Sequence, residues 1–242
     1  MADSIRWFDT VDSTNTQLMN DKALLPDRSV YAALFQTAGR GQKGNRWESR
    51  PGENLTFSIL LKPACIAVSE QFILSQIVAL GLLDYLAGEG VTATIKWPND
   101  IYAGDRKICG TLIENPLSDG KIAACIAGIG LNLNQTAFPG ELVNPTSLKR
   151  LTGKTYDPKL ALEQICALFE ERLPALDGDR EALYYAYAED LFQAGLPCPY
   201  RDLETGSEFQ GTIKGVTQDG RLLMEREGTV RSYAFKEVGY IL

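Results

Sequence analysis

The spacing of apolar residues changes along the chain, and each change marks an element. Tyr31 to Gln36 and Leu55 to Leu61 are short apolar runs bounded by turn residues, the pattern of buried strands. Ahead of them, Asp12-Ser13-Thr14 offers capping side chains to Asn15-Thr16-Gln17-Leu18-Met19, so a short helix is expected there. A long apolar helix is expected from a cap at Ser69 to about Ala87, ended by Gly88-Glu89-Gly90. Thr92 to Trp97 is β-branched and reads as a strand. Ala103-Gly104-Asp105 then turns into a second strand over Lys107 to Glu114. Ser118-Asp119-Gly120 is another turn, followed by a long strand from Lys121 to Leu133. From Asp157 to about Ala194 the period becomes helical (Leu160, Ile165, Leu168, Leu183, Tyr187). Past Pro197-Cys198-Pro199 it shortens again. Phe209 to Ile213, Leu222 to Glu225 and Val230 to Phe235 are strands joined by turns at Gln218-Asp219-Gly220 and Glu227-Gly228. The pattern is an α+β body with a mixed sheet packed against helices over residues 1–195, then a small β-barrel module over 196–242.

Composition narrows the chemistry. With 242 residues and 45% hydrophobic side chains, the chain can build a sizeable core. No segment reads as long and apolar enough to span a membrane, and Met1-Ala2-Asp3-Ser4-Ile5-Arg6 lacks the start of a signal peptide. The five cysteines (Cys65, Cys109, Cys125, Cys166, Cys198) are scattered and odd in number, which implies reduced thiols in a cytoplasm. Histidine is absent, so the commonest general base and metal ligand are missing from the chain. The net charge of -7 disfavours non-specific binding to nucleic acid and leaves room for a local cationic pocket.

That pocket has a candidate in Gln36-Thr37-Ala38-Gly39-Arg40-Gly41-Gln42-Lys43-Gly44-Asn45-Arg46-Trp47. Gly39, Gly41 and Gly44 make a G-x-G-x-x-G, but turn chemistry and another strand come after it instead of a helix. A dinucleotide turn is therefore excluded, and the interleaved cations point to an anionic ligand. Lys96-Trp97-Pro98-Asn99-Asp100 and Asp105-Arg106-Lys107-Ile108-Cys109-Gly110 each bring a lysine to a strand end. Asn99 and Asp100 beside Lys96 suit a nucleotide phosphate with magnesium. Each feature also has a plainer reading: solvated lysines, an ordinary turn at Asn99-Asp100, a helix cap at Ser13-Thr14-Asn15, a bulge at Gly128-Ile129-Gly130. Their joint occurrence is what decides between them.

Together with Leu131-Asn132, these segments resemble the biotin protein ligase family in order and spacing, over nearly the whole chain. The resemblance implies a catalytic domain of the class II aminoacyl-tRNA synthetase/biotin ligase type and a C-terminal SH3-like module. It implies an enzyme that joins biotin and ATP into biotinyl-5′-AMP, with magnesium, and passes biotin to a lysine of a biotin carboxyl carrier protein or domain. By the same resemblance, Ser13, Thr14, Asn15 and Gln36 bind biotin's ureido end or lie beside it. Arg40, Gly41 and Gln42 close over biotin and the adenylate, with Gly110, Thr111 and Leu112 also on the substrate side. Lys107 is the first choice for the catalytic cation, with Arg40 and Lys96 beside it. Gly39, Lys43, Gly44, Arg46, Lys96, Asn99, Asp100 and Asn132 fall to the nucleotide, Trp47 to stacking on its adenine, and Asn99 with Asp100 to transient magnesium.

Two departures stand out. Gln42, Lys43 and Asn45 occupy positions where many relatives carry arginine, which implies weaker hold on the adenylate. The Ser-Thr-Asn motif begins at residue 13, leaving no space for the helix-turn-helix domain of bifunctional members, so no DNA partner is expected. A sheet edge offers a surface for a homodimer. The competing readings are a lipoate protein ligase and a non-catalytic biotin- or nucleotide-binding module.

Overall fold

A computed structural model describes residues 5–63, 66–178 and 180–242; of Lys43 it describes the backbone alone. The expectations for the first four residues and for Cys65 lie outside the described residues. Strand β1 (Ile5–Val11) leads into helix α1 (Thr14–Asp21), whose cap is Ser13 as expected, its side chain accepting from the Thr16 amide. Strands β2 (Val30–Gln36) and β3 (Leu55–Leu61) flank the glycine-rich loop, which carries a 3-10 turn at Gln42–Gly44 inside a bridge between Arg40 and Arg46. Helix α2 (Phe72–Gly88) comes next, then β4 (Thr94–Lys96), β5 (Asp100–Ala103) and β6 (Arg106–Glu114). A two-stranded ribbon, β7 (Leu117–Ser118) and β8 (Lys121–Ile122), precedes β9 (Cys125–Leu131). Helices α3 (Leu148–Thr152), α4 (Pro158–Arg172) and α5 (Arg180–Glu189) lead to the last five strands. These are β10 (Pro197–Asp202), β11 (Glu208–Val216), β12 (Leu222–Arg226), β13 (Thr229–Tyr233) and β14 (Val238–Tyr240).

The large sheet runs β1-β2-β3-β9-β6-β5-β4, parallel only between β1 and β2. One face packs against α2 and α4 through Leu55, Phe57, Ile59, Ile77, Leu80 and Phe169, while α5 packs on α2 and β11. The other face receives α1 through Leu18, Tyr31, Leu60 and Ile126. Because strand side chains alternate, the polar Thr56 and Ser58 point opposite to Phe57 and Ile59, toward α1. The second sheet, β13-β12-β11-β10-β14, is wholly antiparallel, the small barrel-like module the sequence implied.

Four expectations need correction. Ser69 lies in a 3-10 turn, and α2 starts after Gln71 with no side-chain cap. The long strand from Lys121 breaks at Ala123-Ala124, because the ribbon turns away before β9 joins the sheet. Asp100 is not in a loop but opens β5, paired with Lys96 on β4. Finally, Val68–Gly88 is in fact long and apolar enough for a membrane span by length and composition. Its side chains are spent on the core, with Leu74, Leu82 and Leu86 fully buried.

Candidate functional site

A cleft of about 330 Å³ opens where α1, the ends of β2, β4 and β6, the middle of β9 and the glycine-rich loop converge. One wall is a hydrogen-bonded chain of short polar groups. The Thr14 amide donates to Gln36 Oε1 at 2.8 Å, and the Thr14 hydroxyl lies 2.7 Å from Ser58 Oγ. Ser58 in turn donates to Asn15 Oδ1, and Asn15 Nδ2 donates to Glu114 Oε2 at 3.0 Å and to the Leu112 carbonyl at 3.3 Å. Thr14, Asn15 and Ser58 are nearly fully buried, so the satisfied network fixes their rotamers and the orientation of Gln36.

The floor is made of glycine. Cβ atoms built on Gly128 would fall under 3.0 Å from the Asn15 carboxamide, and on Gly130 under 3.0 Å from the Trp47 indole. Gly110 pairs with Gly130 across β6 and β9, so the Trp47 ring rests on a patch of bare backbone. The indole Nε1 is buried without a hydrogen-bond partner among the described residues. Trp47 reaches this position because the loop folds on itself: Gly41 N donates to Asn45 O at 2.8 Å, and Trp47 N to Gly39 O at 3.1 Å. Gly44 turns the loop at φ +88°, a conformation that side chains with a Cβ resist. Arg40 leaves the loop to meet Glu114 with two parallel bonds, 3.0 and 2.8 Å.

The opposite wall carries the lysines. Lys107 Nζ is 2.7 Å from Asp100 Oδ1, across the β5–β6 ladder. Lys96 Nζ donates to the Tyr102 hydroxyl at 3.1 Å and lies 4.8 and 5.1 Å from the Tyr102 and Tyr240 rings. Burial pulls the Lys96 ammonium below the usual lysine value; Asp100 opposes that shift and Lys107 adds to it. Burial likewise pushes the Tyr102 hydroxyl up to about 12, with Asp100 adding to the rise. Two lysines are thus concentrated around one carboxylate in a partly dry cleft, an arrangement suited to a polyanion.

A match to a family fixes what the geometry belongs to. Residues 7–132 match the biotin/lipoate A/B protein ligase family. The chain belongs to that family. The biotin–[acetyl-CoA-carboxylase] ligase of Paracoccus denitrificans is 30% identical over 224 residues, covering 88% of this chain and 90% of that protein. The bifunctional ligase/repressor BirA of Bacillus spizizenii is 28% identical over 247 residues, covering 97% of this chain and 73% of that protein. Among solved structures, biotin protein ligase from Aquifex aeolicus in complex with biotin and ATP superposes with a TM-score of 0.81 at 26% identity, covering 98% of this chain and 97% of that one.

Most residues that the family resemblance singled out meet in this cleft. Ser13, Thr14, Asn15, Gln36, Arg40, Gly41, Gln42, Arg46, Trp47, Lys96, Asn99, Asp100, Lys107, Gly110, Thr111 and Leu112 all line it. Gly39, Gly44 and Asn132 do not. Gly39 underlies the loop, and Asn132 Nδ2 donates to the Thr146 carbonyl at 2.9 Å, pinning the segment before α3. The Lys43 side chain lies outside the described ones. Asn15 lines the cleft with both Nδ2 hydrogens given to Glu114 and the Leu112 carbonyl and its Oδ1 accepting from Ser58, which makes it a scaffold for its neighbours.

Three contributors escaped the sequence reading. Ser58 was legible as one of two polar residues, with Thr56, inside a mostly apolar strand. Glu114 was not, since its partners are 99 and 74 residues away. The third is the C-terminal module, which closes the lysine side with Leu203, Phe235, Lys236 and Tyr240. Trp97 ties the module on, donating Nε1 to the Gly220 carbonyl at 2.9 Å.

Asn99 and Asp100 line the cleft together, and their carboxamide and carboxylate oxygens are donors of the kind that magnesium takes. The bond from Asn99 to the Thr111 carbonyl uses Nδ2 and not the oxygen a metal takes, and Asp100 meets Lys107 through Oδ1. Among the described residues no group of three or more acidic or cysteine side chains is placed to hold an ion.

Proposed function

We propose that this chain is a biotin protein ligase, activating biotin with ATP to biotinyl-5′-AMP and transferring biotin to a lysine of a carboxylase carrier domain. The carrying observation is that Lys96, Lys107 and Arg40 surround the same cleft as the buried Thr14–Gln36–Ser58 network, in a chain of this family. The volume suits a ligand of biotin-adenylate size in part, the remainder extending to the open mouth.

In the first step a biotin carboxylate oxygen attacks the α-phosphorus, the bond bridging the α- and β-phosphates breaks, and pyrophosphate leaves. Two anions must meet, so the barrier is one of positioning and charge. Lys107 neutralises the carboxylate and the attacked phosphate, and Lys96 the departing phosphates. Gln36, held by Thr14, presents its amide to the ureido group, and Ser13 its hydroxyl. Trp47 provides an aromatic face for the adenine. In the second step the acceptor's amine bonds the acyl carbon, the acyl–phosphate bond breaks, AMP leaves and the amine proton passes to solvent. Asp100 gives the incoming ammonium an anionic contact. Magnesium, arriving with ATP, would supply charge neutralisation, with Asn99 and Asp100 the residues that would hold it transiently. In this reading residues 1–195 are the catalytic unit and 196–242 the module that closes it.

The test is incubation with ATP, magnesium, biotin and a biotin carboxyl carrier domain. Intact mass of the carrier should show one added biotinyl group, and Lys107→Ala should abolish it. Pyrophosphate exchange supported by lipoate and not by biotin overturns the assignment in favour of a lipoate ligase. Calorimetric biotin binding without adenylate formation overturns it in favour of a binding module.

A further inference from the structure

We infer that Glu114 is a positioning residue that latches the glycine-rich loop over the cleft and couples loop closure to the occupied pocket. The inference rests on the ligase reading for its substrate but not for its geometry. Glu114 ends β6, outside the lining of the cleft, and its carboxylate meets both the loop and the buried network. Oε1 accepts from Arg40 Nη2 at 2.8 Å, while Oε2 accepts from Arg40 Nη1 and from Asn15 Nδ2, both at 3.0 Å. One carboxylate therefore joins the loop to the buried network that holds Thr14 and Gln36.

The Val11 and Asp12 carbonyls hold the start of the loop at Thr37 and Ala38, and from Gly39 to Trp47 it has few other tethers. Its internal bonds, Gly41 to Asn45 and Trp47 to Gly39, move with it as a unit. The Trp47 ring on Gly110 and Gly130 is apolar and non-directional, so it gives area without fixing the hinge angle. The bidentate pair supplies that direction, because a planar guanidinium meets a carboxylate in one orientation. Asn15 fixes the carboxylate in turn: a shift of the network at Asn15 turns the Glu114 acceptor away from Arg40. Arg40 thereby lines the cleft with its guanidinium held by Glu114. This matters more here because Gln42 brings no charge to the loop.

Glu114→Gln separates the two duties, since a carboxamide oxygen still accepts from Asn15 while the charge pair with Arg40 is lost. Two readouts apply. Trypsin cleavage after Arg46 in the ligand-free chain should accelerate about fivefold, the size expected for a half-exposed bidentate pair. Release of biotinyl-5′-AMP after a single turnover should accelerate by a similar factor. In an Arg40→Gln background the same substitution should change neither rate further, because the pair is already broken. Equal effects of Glu114→Gln with and without Arg40 would assign Glu114 a merely structural duty and overturn the latch. So would wild-type rates in the single variant. A chain that forms no adenylate overturns the ligase reading, while the trypsin comparison still decides the latch.

Discussion

Gly128→Ala is a one-methyl perturbation whose consequence is set by the sheet around it. Gly128 is paired to Ser58 on one side and Leu112 on the other, so its backbone has no direction in which to yield. A Cβ there would lie under 3.0 Å from the oxygen, carbon and nitrogen of the Asn15 carboxamide. Asn15 must leave, and it is only 4% exposed. Its bonds to Glu114, the Leu112 carbonyl and Ser58 go with it. At about 0.5–1.5 kcal/mol each, three hydrogen bonds come to roughly 2–4 kcal/mol. For a chain of this size that corresponds to a fall in Tm of about 5–15 °C. Calorimetry of the ligand-free protein measures it. Biotin affinity, by titration, should fall about tenfold, the equivalent of one lost hydrogen-bonded support. The control is Asn15→Ala, which removes the obstacle. In that background Gly128→Ala should cost less than about 0.5 kcal/mol, since the two sites act through one contact. An undiminished loss in both backgrounds would refute this account, for it would place the strain in the backbone of β9.

Gly130→Ala should displace the Trp47 ring and raise the KM for ATP, by about 5- to 100-fold if the ring stacks on adenine; an unchanged KM removes Trp47 from the nucleotide site. Gln42→Arg should slow adenylate release, and an unchanged rate would count against the loss of charge at 42 as a weakness. Lys96 has a lowered folded-state pKa, so between that value and the unfolded one the unfolded chain binds more protons and stability rises with pH. Urea midpoints in the range just below the ordinary lysine pKa of about 10.4 should therefore rise more steadily for wild type than for Lys96→Met, which has nothing to titrate. Burial raises the thiols of Cys125 and Cys166 to about 12 and that of Cys109 higher still. Peptide mapping after maleimide treatment should find these three unmodified in the native chain and labelled after denaturation.

Local sequence was enough to set the strands that flank the loop, the cap at Ser13 and the rejection of a dinucleotide turn. These are matters of period, capping and the residues directly after a glycine run. It was also enough to say which residue types were present: no histidine, so chemistry resting on lysine, arginine, carboxylates, amides or a weakly held ion. It did not reveal β10 or β14, because prolines at 197 and 199 and a three-residue strand carry little local signal. Nor did it distinguish Asn15 and Asn132, two motif asparagines that look alike in the chain. Folding gave one to a wall of the cleft and the other to a carbonyl beyond it. Glu114 became legible only when Arg40 and Asn15 were brought to the same carboxylate, and the module wall only when Trp97 met Gly220. Local preference acts over a few residues, whereas these contacts join groups some 70 to 120 positions apart, so only the packed sheet and its loops could decide them.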